Sequence, residues 1–272
     1  MNFIMLPEFL SDVSVNITAV PAQLKNATSR GVLWQAAPGR FMIDVPETAR
    51  YLVEEGKRVT IDPMPSADET DVYRFLRMTP LAATCFQRGI IAFHAAAITD
   101  MNGAVLIAGD SGAGKSTLLA AMLNRGWHLL SDDLAAVDLN ESAAPVVFPS
   151  FPEMSLWSDA MEKLKMEGCG AGRHVLSMEN EFIASSQPLQ AIYRLSVHHD
   201  GIAVSNVEGV KRFDTLTLLS YNTRIADALF DRTAYMRLAA AIARNVPMRS
   251  LRRPRNRWCV EELADIVEGN SR

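Results

Sequence analysis

A glycine-rich stretch from Gly109 to Thr117, with the sequence GDSGAGKST, constrains this chain more than any other feature. It satisfies the pattern G-x-x-x-x-G-K-[ST], in which glycines let the backbone curl its N–H groups around a phosphate. The apolar run Ala104–Ala108 precedes it and predicts a buried strand, and Ser116–Asn124 predicts a helix whose N-terminus favours anions. Because strand, loop and helix follow in the required order, a phosphate-binding loop is favoured over a chance glycine turn.

The residue types of this loop also predict what it binds. Lys115 can reach the β- and γ-phosphate oxygens of a nucleotide, and the Ser116 hydroxyl can bind Mg²⁺. ATP and Mg²⁺ are therefore the predicted cofactors. The predicted nucleotide-binding residues are Gly109, Asp110, Ser111, Gly112, Ala113, Gly114, Lys115, Ser116 and Thr117.

Composition argues against several classes of partner. The 272-residue chain has a net charge of −4, so no global field attracts nucleic acid or an anionic membrane. Its apolar runs stay below the roughly 18 residues of a membrane span, and its first residues lack the features of a signal peptide. Three widely spaced cysteines argue against a disulfide framework. We therefore expect a cytoplasmic protein that binds neither nucleic acid nor a membrane.

The sequence pattern changes near residue 65. Residues 1–65 alternate short apolar runs with turn signals such as Pro38-Gly39 and Glu55-Gly56, which predicts a small antiparallel β segment. Ser66-Ala-Asp-Glu69 spells a capping box and predicts the start of a helix. We expect residues 66–272 to form an α/β catalytic domain around the phosphate loop, with a further helix over Met154–Leu164.

A histidine is predicted to lie beside the loop. The turn signal Asn102-Gly103 favours a hairpin between the strand that precedes it and the strand that leads to the loop. If Ile98 pairs with Val105, His94 falls opposite Gly109. A histidine in an apolar strand is usually a core residue, but this register favours a role in an active site.

Two adjacent carboxylates, Asp132 and Asp133, follow the predicted strand Trp127–Ser131, one helix after the loop. The short connection allows this strand to return beside Ala104–Ala108 in a right-handed crossover, and ligands collect at the carboxyl edge of such sheets. Asp132 would then help Ser116 to hold Mg²⁺, and Asp133 would accept a proton from a hydroxyl. The alternative is a polar turn with an aspartate at a helix N-cap.

Five arginines lie within residues 249–257, near the end of the chain. A charge run is usually a solvated face, but guanidinium groups also bind acidic substrates or developing phosphoryl charge. Arg252 and Arg253 are the candidates for such a role. The glycine-rich segment 168–172 is predicted equally as a lid over the nucleotide or as a surface loop.

The residues Phe93-His94, Gly109–Ser116, Arg125-Gly126 and Leu130–Asp133 together resemble the catalytic domain of the HPr kinase/phosphorylase family. That family has a P-loop, a histidine on the preceding strand and paired aspartates one helix later, and it phosphorylates a serine of a small phosphocarrier protein. The resemblance covers about residues 89–139. It implies the fold of the HPr kinase and phosphoenolpyruvate carboxykinase group, a P-loop α/β domain with a mixed, bent sheet, and a homo-oligomer.

The chain also departs from that family. A short β-rich segment replaces the family's large N-terminal domain, and the family's second signature is not found. The chain is more similar to short HPr-kinase-like proteins, including those that phosphorylate lasso-peptide precursors. Pro149-x-x-Pro152, Leu156-Trp157, Arg173 and Arg253-Pro-Arg255 carry this likeness, which implies a substrate or phosphate role for Arg173.

These observations lead to one main hypothesis. The chain would be an ATP- and Mg²⁺-dependent kinase that phosphorylates a serine hydroxyl of a peptide or small protein, such as a lasso-peptide precursor. Its catalytic residues would be Lys115, Asp132, Asp133 and His94. A kinase of free serine would use the same chemistry, and a regulatory module that only binds nucleotide would need no competent base.

Overall fold

The computed structural model describes residues 6–166 and 170–270, which form a mixed α/β fold with several sheets. The helices are α1 (Glu69–Leu76), α2 (Thr79–Gln87), α3 (Lys115–Leu123), α4 (Ser158–Lys163), α5 (Lys211–Leu219), α6 (Thr223–Leu229), α7 (Arg232–Asn245) and α8 (Val260–Gly269). The strands up to residue 109 are β1 (Ser14–Ile17), β2 (Ser29–Arg30), β3 (Trp34–Ala37), β4 (Arg40–Val45), β5 (Ala49–Glu54), β6 (Arg58–Pro63), β7 (Ile91–Phe93), β8 (Ala95–Thr99) and β9 (Ala104–Gly109). The strands after the loop are β10 (His128–Ser131), β11 (Ala135–Leu139), β12 (Pro145–Phe148), β13 (Glu153–Trp157), β14 (Arg173–Ser177), β15 (Gln187–His198), β16 (Ala203–Asn206) and β17 (Met248–Pro254).

The chain forms two compact units, which do not divide at residue 65. The first unit comprises residues 1–92 and 220–238, and the second comprises 93–219 and 239–272. The helices α1 and α2 therefore group with the N-terminal strands. The division into a β segment and a catalytic domain at residue 65 stays a prediction about domains.

The first unit contains the predicted β segment. Its sheet has the order β1-β6-β5-β4-β3-β2, and every neighbouring pair is antiparallel except β1 with β6. The hairpins predicted at Pro38-Gly39 and Glu55-Gly56 are confirmed, since β3 pairs with β4 and β5 with β6 across these turns. The predicted capping by Ser66 was wrong: Asp68 caps α1 and accepts a hydrogen bond from the Thr70 N–H at 2.7 Å.

The second unit carries the glycine-rich loop on a mixed sheet. Its strands follow the order β10-β8-β9-β15-β12-β11, and β17 pairs with β15 and with β16. The strands β9, β15 and β17 are parallel to one another, whereas β8 is antiparallel to both β9 and β10. The predicted order of strand, glycine loop and helix is confirmed by β9, residues 110–114 and α3.

The crossover that was expected to place β10 beside β9 was wrong in one respect. Because β8 lies between them, β10 runs in the same direction as β9 without pairing with it. The hairpin strand β8 takes the neighbouring place because an immediate turn connects it to β9, and this local pairing closes a shorter loop than a crossover does. The carboxyl ends of β9, β10 and β17 still lie at one edge of the sheet, together with the beginning of β8.

A continuous apolar core fixes α3 behind this edge. The side chains of Leu118, Leu119 and Met122 are fully buried with those of Ile107 and Leu129 in one cluster. The end of α3 is held to α8 by Arg125, which forms ion pairs with Glu261, Asp265 and Glu268 at 2.7, 2.8 and 3.0 Å. The helix that carries Lys115 and Ser116 is thus held by its buried face and at its C-terminal end.

The helix predicted over Met154–Leu164 was wrong in its first half. Residues Glu153–Trp157 form the strand β13, which pairs with β14 in a two-stranded sheet, and only Ser158–Lys163 is helical. The glycine-rich segment 168–172 lies partly outside the described residues, so both predictions for it stay open. Within the described ranges, no helix is long and apolar enough to cross a membrane.

Gly109 and Gly112 offer a matched test of how the loop is fitted to the sheet. Both have positive φ, of 150° and 77°, but a Cβ at Gly109 would collide with the carbonyl oxygen of Leu195 on β15, whereas a Cβ at Gly112 would meet no atom within 4 Å. We expect Gly112→Ala to lower the free energy of unfolding by about 1–2 kcal/mol through backbone strain alone. Gly109→Ala should cost about 1–3 kcal/mol more, because the β15 backbone must also move. Urea unfolding of both variants measures the difference, and equal losses would contradict the close approach of β9 and β15.

Candidate functional site

The side chains of Lys115 and His94 meet beside the glycine-rich loop. The Lys115 ammonium donates to the carbonyl of Gly109 at 2.9 Å and to that of Asp110 at 3.3 Å, and its Nζ lies 3.2 Å from His94 Nε2. Because an ammonium only donates, Nε2 acts as the acceptor and the ring proton is on Nδ1, which lies 3.1 Å from the carbonyl oxygen of Asp133. His94 therefore connects the loop lysine to the backbone of the second aspartate.

Burial favours the uncharged form of this histidine. Burial lowers the pKa of His94, and the positive charge of Lys115 lowers it further, whereas the charge of Asp133 raises it. Burial also lowers the pKa of Lys115, against the attraction of Asp133, Asp132 and Asp110. The register predicted for this region is confirmed, since Ile98 pairs with Val105 and Ala95 with Ala108, which leaves His94 at the level of Gly109.

Asp132 lies directly against the first turn of α3. The Ser116 hydroxyl donates to Asp132 Oδ1 at 3.3 Å, and the backbone N–H of Ser155 donates to Oδ2 at 2.9 Å. Burial, and next the charge of Asp133, raise the pKa of Asp132 to about 6. The predicted contact between the Ser116 hydroxyl and the Asp132 carboxylate is therefore present.

Asp133 occupies a tight turn after β10. Its φ of 64° lies in the left-handed region, and the Leu134 N–H donates across it to the carbonyl of Asp132 at 2.8 Å. The Arg173 guanidinium on β14 donates to Asp133 Oδ2 at 2.9 Å, and both side chains are partly exposed. Arg173, Asp133 and His94 thus form a connected polar group at the edge of the sheet.

The loop itself presents its backbone at the start of α3. Gly114, with φ of 102°, is the N-cap residue of α3 and has no side chain to satisfy the amides of the first turn. The Ala113 N–H donates to the Asp110 carbonyl at 3.1 Å and closes the turn of the loop. Asp110 and Ser111 are exposed at the tip, whereas Lys115 is buried and Ser116 and Thr117 are partly buried. Such a helix end favours an anion.

The arginine cluster separates into residues with different surroundings. Arg253 donates from Nε to the carbonyl of Ala113 at 2.6 Å and from Nη2 to that of Gly112 at 3.3 Å, so it reaches the loop. Arg252 has an exposed side chain on the neighbouring position of β17, and no contact with the loop is found for it among the described residues. Arg249 lies over the Tyr193 ring with 5.6 Å from its guanidinium carbon to the ring centroid, and Arg257 pairs with Glu262 at 2.8 Å.

Sequence reasoning missed two features of the site. The Ser155 N–H that binds Asp132 is a backbone group in a segment predicted as helix, so its residue type gave no signal. Arg253 was a candidate for binding substrate or phosphate, but its contact with the carbonyls of the loop was not foreseen. The structure brings together His94, the loop residues, Asp132, Asp133, Arg173 and Arg253, and leaves out Arg252.

The donor atoms fit a magnesium ion better than a metal bound by protein alone. Ser116 Oγ and Asp132 Oδ1 are hard oxygen ligands next to the predicted phosphate site. No group of three or more His, Cys, Asp or Glu side chains that could hold a metal ion occurs in the described ranges. Mg²⁺ is commonly bound in this way, through one or two protein oxygens together with phosphate oxygens and water.

Comparison with known proteins adds little to this picture. No protein-family profile and no curated protein sequence matches the chain. Among solved structures, the HPr(Ser) kinase/phosphatase from Coxiella burnetii is similar with a TM-score of 0.35 and 11% sequence identity, over 65% of this chain and 91% of that one. Similarity at this level is distant, and what the chain does has to be inferred from the geometry of the site.

The pKa of Asp132 gives a direct test of the site's electrostatics. We expect its carboxyl group to titrate near pH 6 in the folded protein rather than near 3.8, as followed by its carboxyl ¹³C NMR signal. Since the folded state binds this proton more tightly than the unfolded chain, the contribution of Asp132 to stability should decrease as pH rises from about 4 to about 6.

Removing the neighbouring charge should separate the two causes. In Asp133→Asn the pKa of Asp132 should decrease but stay above its ordinary value, because burial raises that pKa more than the charge of Asp133 does. A midpoint near 4 in the unsubstituted protein would show that Asp132 is solvated, contrary to the structure.

Proposed function

We propose that the chain is an ATP- and Mg²⁺-dependent kinase that transfers the γ-phosphoryl group to a hydroxyl. The observation that carries the proposal is the contact of Ser116 Oγ with Asp132 Oδ1 at 3.3 Å, at the N-terminus of the helix that begins with Lys115. It joins the two halves of a phosphoryl-transfer site, the loop that would bind phosphate and the carboxylates that would serve the metal and the acceptor. A chance glycine turn would not require this pairing.

The loop and Lys115 would hold the β- and γ-phosphates. The amides of residues 114–117 lie at the positive end of α3, and Lys115 Nζ is held at the base of the loop by the carbonyls of Gly109 and Asp110. Its burial strengthens its attraction for a phosphate oxygen, because water screens the charge less there. His94 accepts from Lys115 and so limits the positions that the ammonium can take.

Ser116 and Asp132 would bind Mg²⁺. When bound, the ion would supply positive charge that offsets the negative charge of the phosphate oxygens during transfer. Asp132 is oriented for this task by the Ser155 N–H, which occupies Oδ2 and leaves Oδ1 directed at the Ser116 hydroxyl.

Asp133 would act as the general base. Its carboxylate accepts the proton of the acceptor hydroxyl while that oxygen bonds to the γ-phosphorus and the bond to the β–γ bridging oxygen breaks, which releases ADP. Arg173 holds Oδ2 of Asp133, so Oδ1 is the atom that would receive the proton. The same guanidinium carries the positive charge that a transferred phosphoryl group requires.

The proposed acceptor is a serine of a peptide or small protein, such as a lasso-peptide precursor. This step is supported by the resemblance of the loop, the histidine and the paired aspartates to the short HPr-kinase-like proteins. The same resemblance supports a homo-oligomer, and the three widely spaced cysteines suit a cytoplasmic location. A kinase of free serine would use an identical phosphoryl-transfer site, so the acceptor has to be identified by experiment.

The acceptor class is tested by incubation with γ-labelled ATP and Mg²⁺, with a panel of serine-containing precursor peptides and with free serine in parallel. We expect mass spectrometry to find one phosphoryl group on a peptide serine. Lys115→Met should abolish transfer, whereas Lys211→Met, in an exposed lysine of the same unit, should not. Label on free serine alone would reassign the substrate, and nucleotide binding without any transfer would favour a regulatory module.

The base is tested by Asp133→Asn. This variant should bind MgATP with little change, because Asp133 serves the acceptor rather than the nucleotide, and should lose about 10²- to 10⁴-fold in the rate of transfer. Single-turnover kinetics with saturating ATP measures the transfer step. Asp200→Asn, in an exposed turn of the same unit, is the matched control. Transfer by Asp133→Asn at the unsubstituted rate would remove Asp133 from this role.

A further inference from the structure

Arg253 contacts the phosphate loop from outside, through backbone atoms only. Its Nε donates to the Ala113 carbonyl at 2.6 Å, its Nη2 to the Gly112 carbonyl at 3.3 Å and its Nη1 to the Pro254 carbonyl at 3.2 Å. All three guanidinium nitrogens are therefore engaged with main-chain oxygens. This geometry differs from that of an arginine that binds substrate, whose fork would be directed at a carboxylate or phosphate.

Two consecutive carbonyls held by one guanidinium fix the direction of the peptide groups to which they belong. In a trans peptide the C=O and the following N–H point in opposite directions. The carbonyl of Ala113 and the N–H of Gly114 share one peptide group, so the bond from Arg253 turns the Gly114 N–H to the opposite side. The peptide group between Gly112 and Ala113 is also held by the bond from the Ala113 N–H to the Asp110 carbonyl, whereas for the peptide group between Ala113 and Gly114 no hydrogen bond other than that of Arg253 is found within the described ranges.

The strands of the second unit hold Arg253 in place. On β17, Arg253 pairs with Val197 of β15, and on the other edge of β15 Leu195 pairs with Gly109 at the start of the loop. One long strand thus fixes the distance between the guanidinium and the root of the loop. The close approach of the arginine to Gly114, where an added Cβ would lie 3.2 Å from Nε, leaves no space for another group between them.

We propose that Arg253 is a positioning residue for nucleotide binding, which holds the peptide groups of Gly112 and Ala113 so that the loop is shaped for phosphate before a nucleotide arrives. This role rests on the proposed function of the loop. It replaces the expectation that Arg253 contacts substrate directly. The benefit of such preorganisation is that binding does not have to order the loop.

The test compares Arg253→Ala and Arg253→Lys with Arg255→Ala, an exposed arginine of the same cluster. Calorimetry with MgADP and with MgATP measures nucleotide affinity. Steady-state kinetics with the acceptor that the labelling experiment identifies gives separate Michaelis constants for the nucleotide and for the acceptor. We expect Arg253→Ala to weaken nucleotide binding about 10- to 100-fold, with an unchanged Michaelis constant for the acceptor. Arg255→Ala should match the unsubstituted protein.

The lysine variant distinguishes shape from charge. A lysine keeps the charge but lacks the planar fork, so Arg253→Lys should recover only a small part of the lost affinity. Hydrogen exchange of the peptide that contains residues 110–117, measured without nucleotide, should be faster in both Arg253 variants and unchanged in Arg255→Ala. This readout reports on the loop directly, and the lysine variant carries the test if the alanine variant does not fold.

Two results would overturn the proposal without touching the proposed function. Unchanged nucleotide affinity with a raised Michaelis constant for the acceptor would make Arg253 an acceptor ligand. Full recovery by lysine, with unchanged hydrogen exchange, would show that only its charge matters. If the unsubstituted protein bound no MgADP or MgATP, both the proposed function and this role would fail.

Discussion

The parallel pairing of β9 with β15 is the constraint on which the rest of the site depends. It places Gly109 so close to the Leu195 carbonyl that only glycine fits at the root of the loop. The other edge of β15 carries β17 in the same direction, so Arg253 arrives at the same edge of the sheet. Since β8 runs antiparallel to β9, His94 at its beginning lies there as well. Chain direction alone thus gathers groups that are far apart in the sequence.

The charges at this edge are arranged around the buried end of α3. Burial disfavours the charged forms of Lys115 and Asp132. It lowers the pKa of the lysine and raises that of the aspartate. Asp133 is more exposed and forms an ion pair with Arg173 at 2.9 Å. The neutral His94 lies between Lys115 and Asp133 without adding charge to either. Two carboxylates that are adjacent in sequence therefore have different environments, which suits them to different tasks.

The sequence predicted those parts of the site that depend on local pattern. The glycine loop between strand and helix, the hairpin register that places His94, and the meeting of Asp132 with Ser116 all follow from short-range signals. Three features could not be predicted from the sequence, because they depend on which distant strands pair. These are the neighbours of β10, the strand β13 and the contact of Arg253 with the loop. Met154 and Leu156 are buried on one side of β13, and this alternation was too short to outweigh a helical pattern.

The backbone of Asp133 adopts the left-handed conformation, which distinguishes the second aspartate from the first. A residue other than glycine in the left-handed region costs free energy that the surrounding structure has to offset, and seven other non-glycine residues in the described ranges share this conformation. Here the offset comes from His94, whose ring bonds the Asp133 carbonyl, and from Arg173, which bonds its carboxylate. A polar turn that only connected β10 to β11 would need neither partner. The two adjacent carboxylates therefore have different partners, since Asp132 contacts the Ser116 hydroxyl and the Ser155 N–H, whereas Asp133 contacts Arg173.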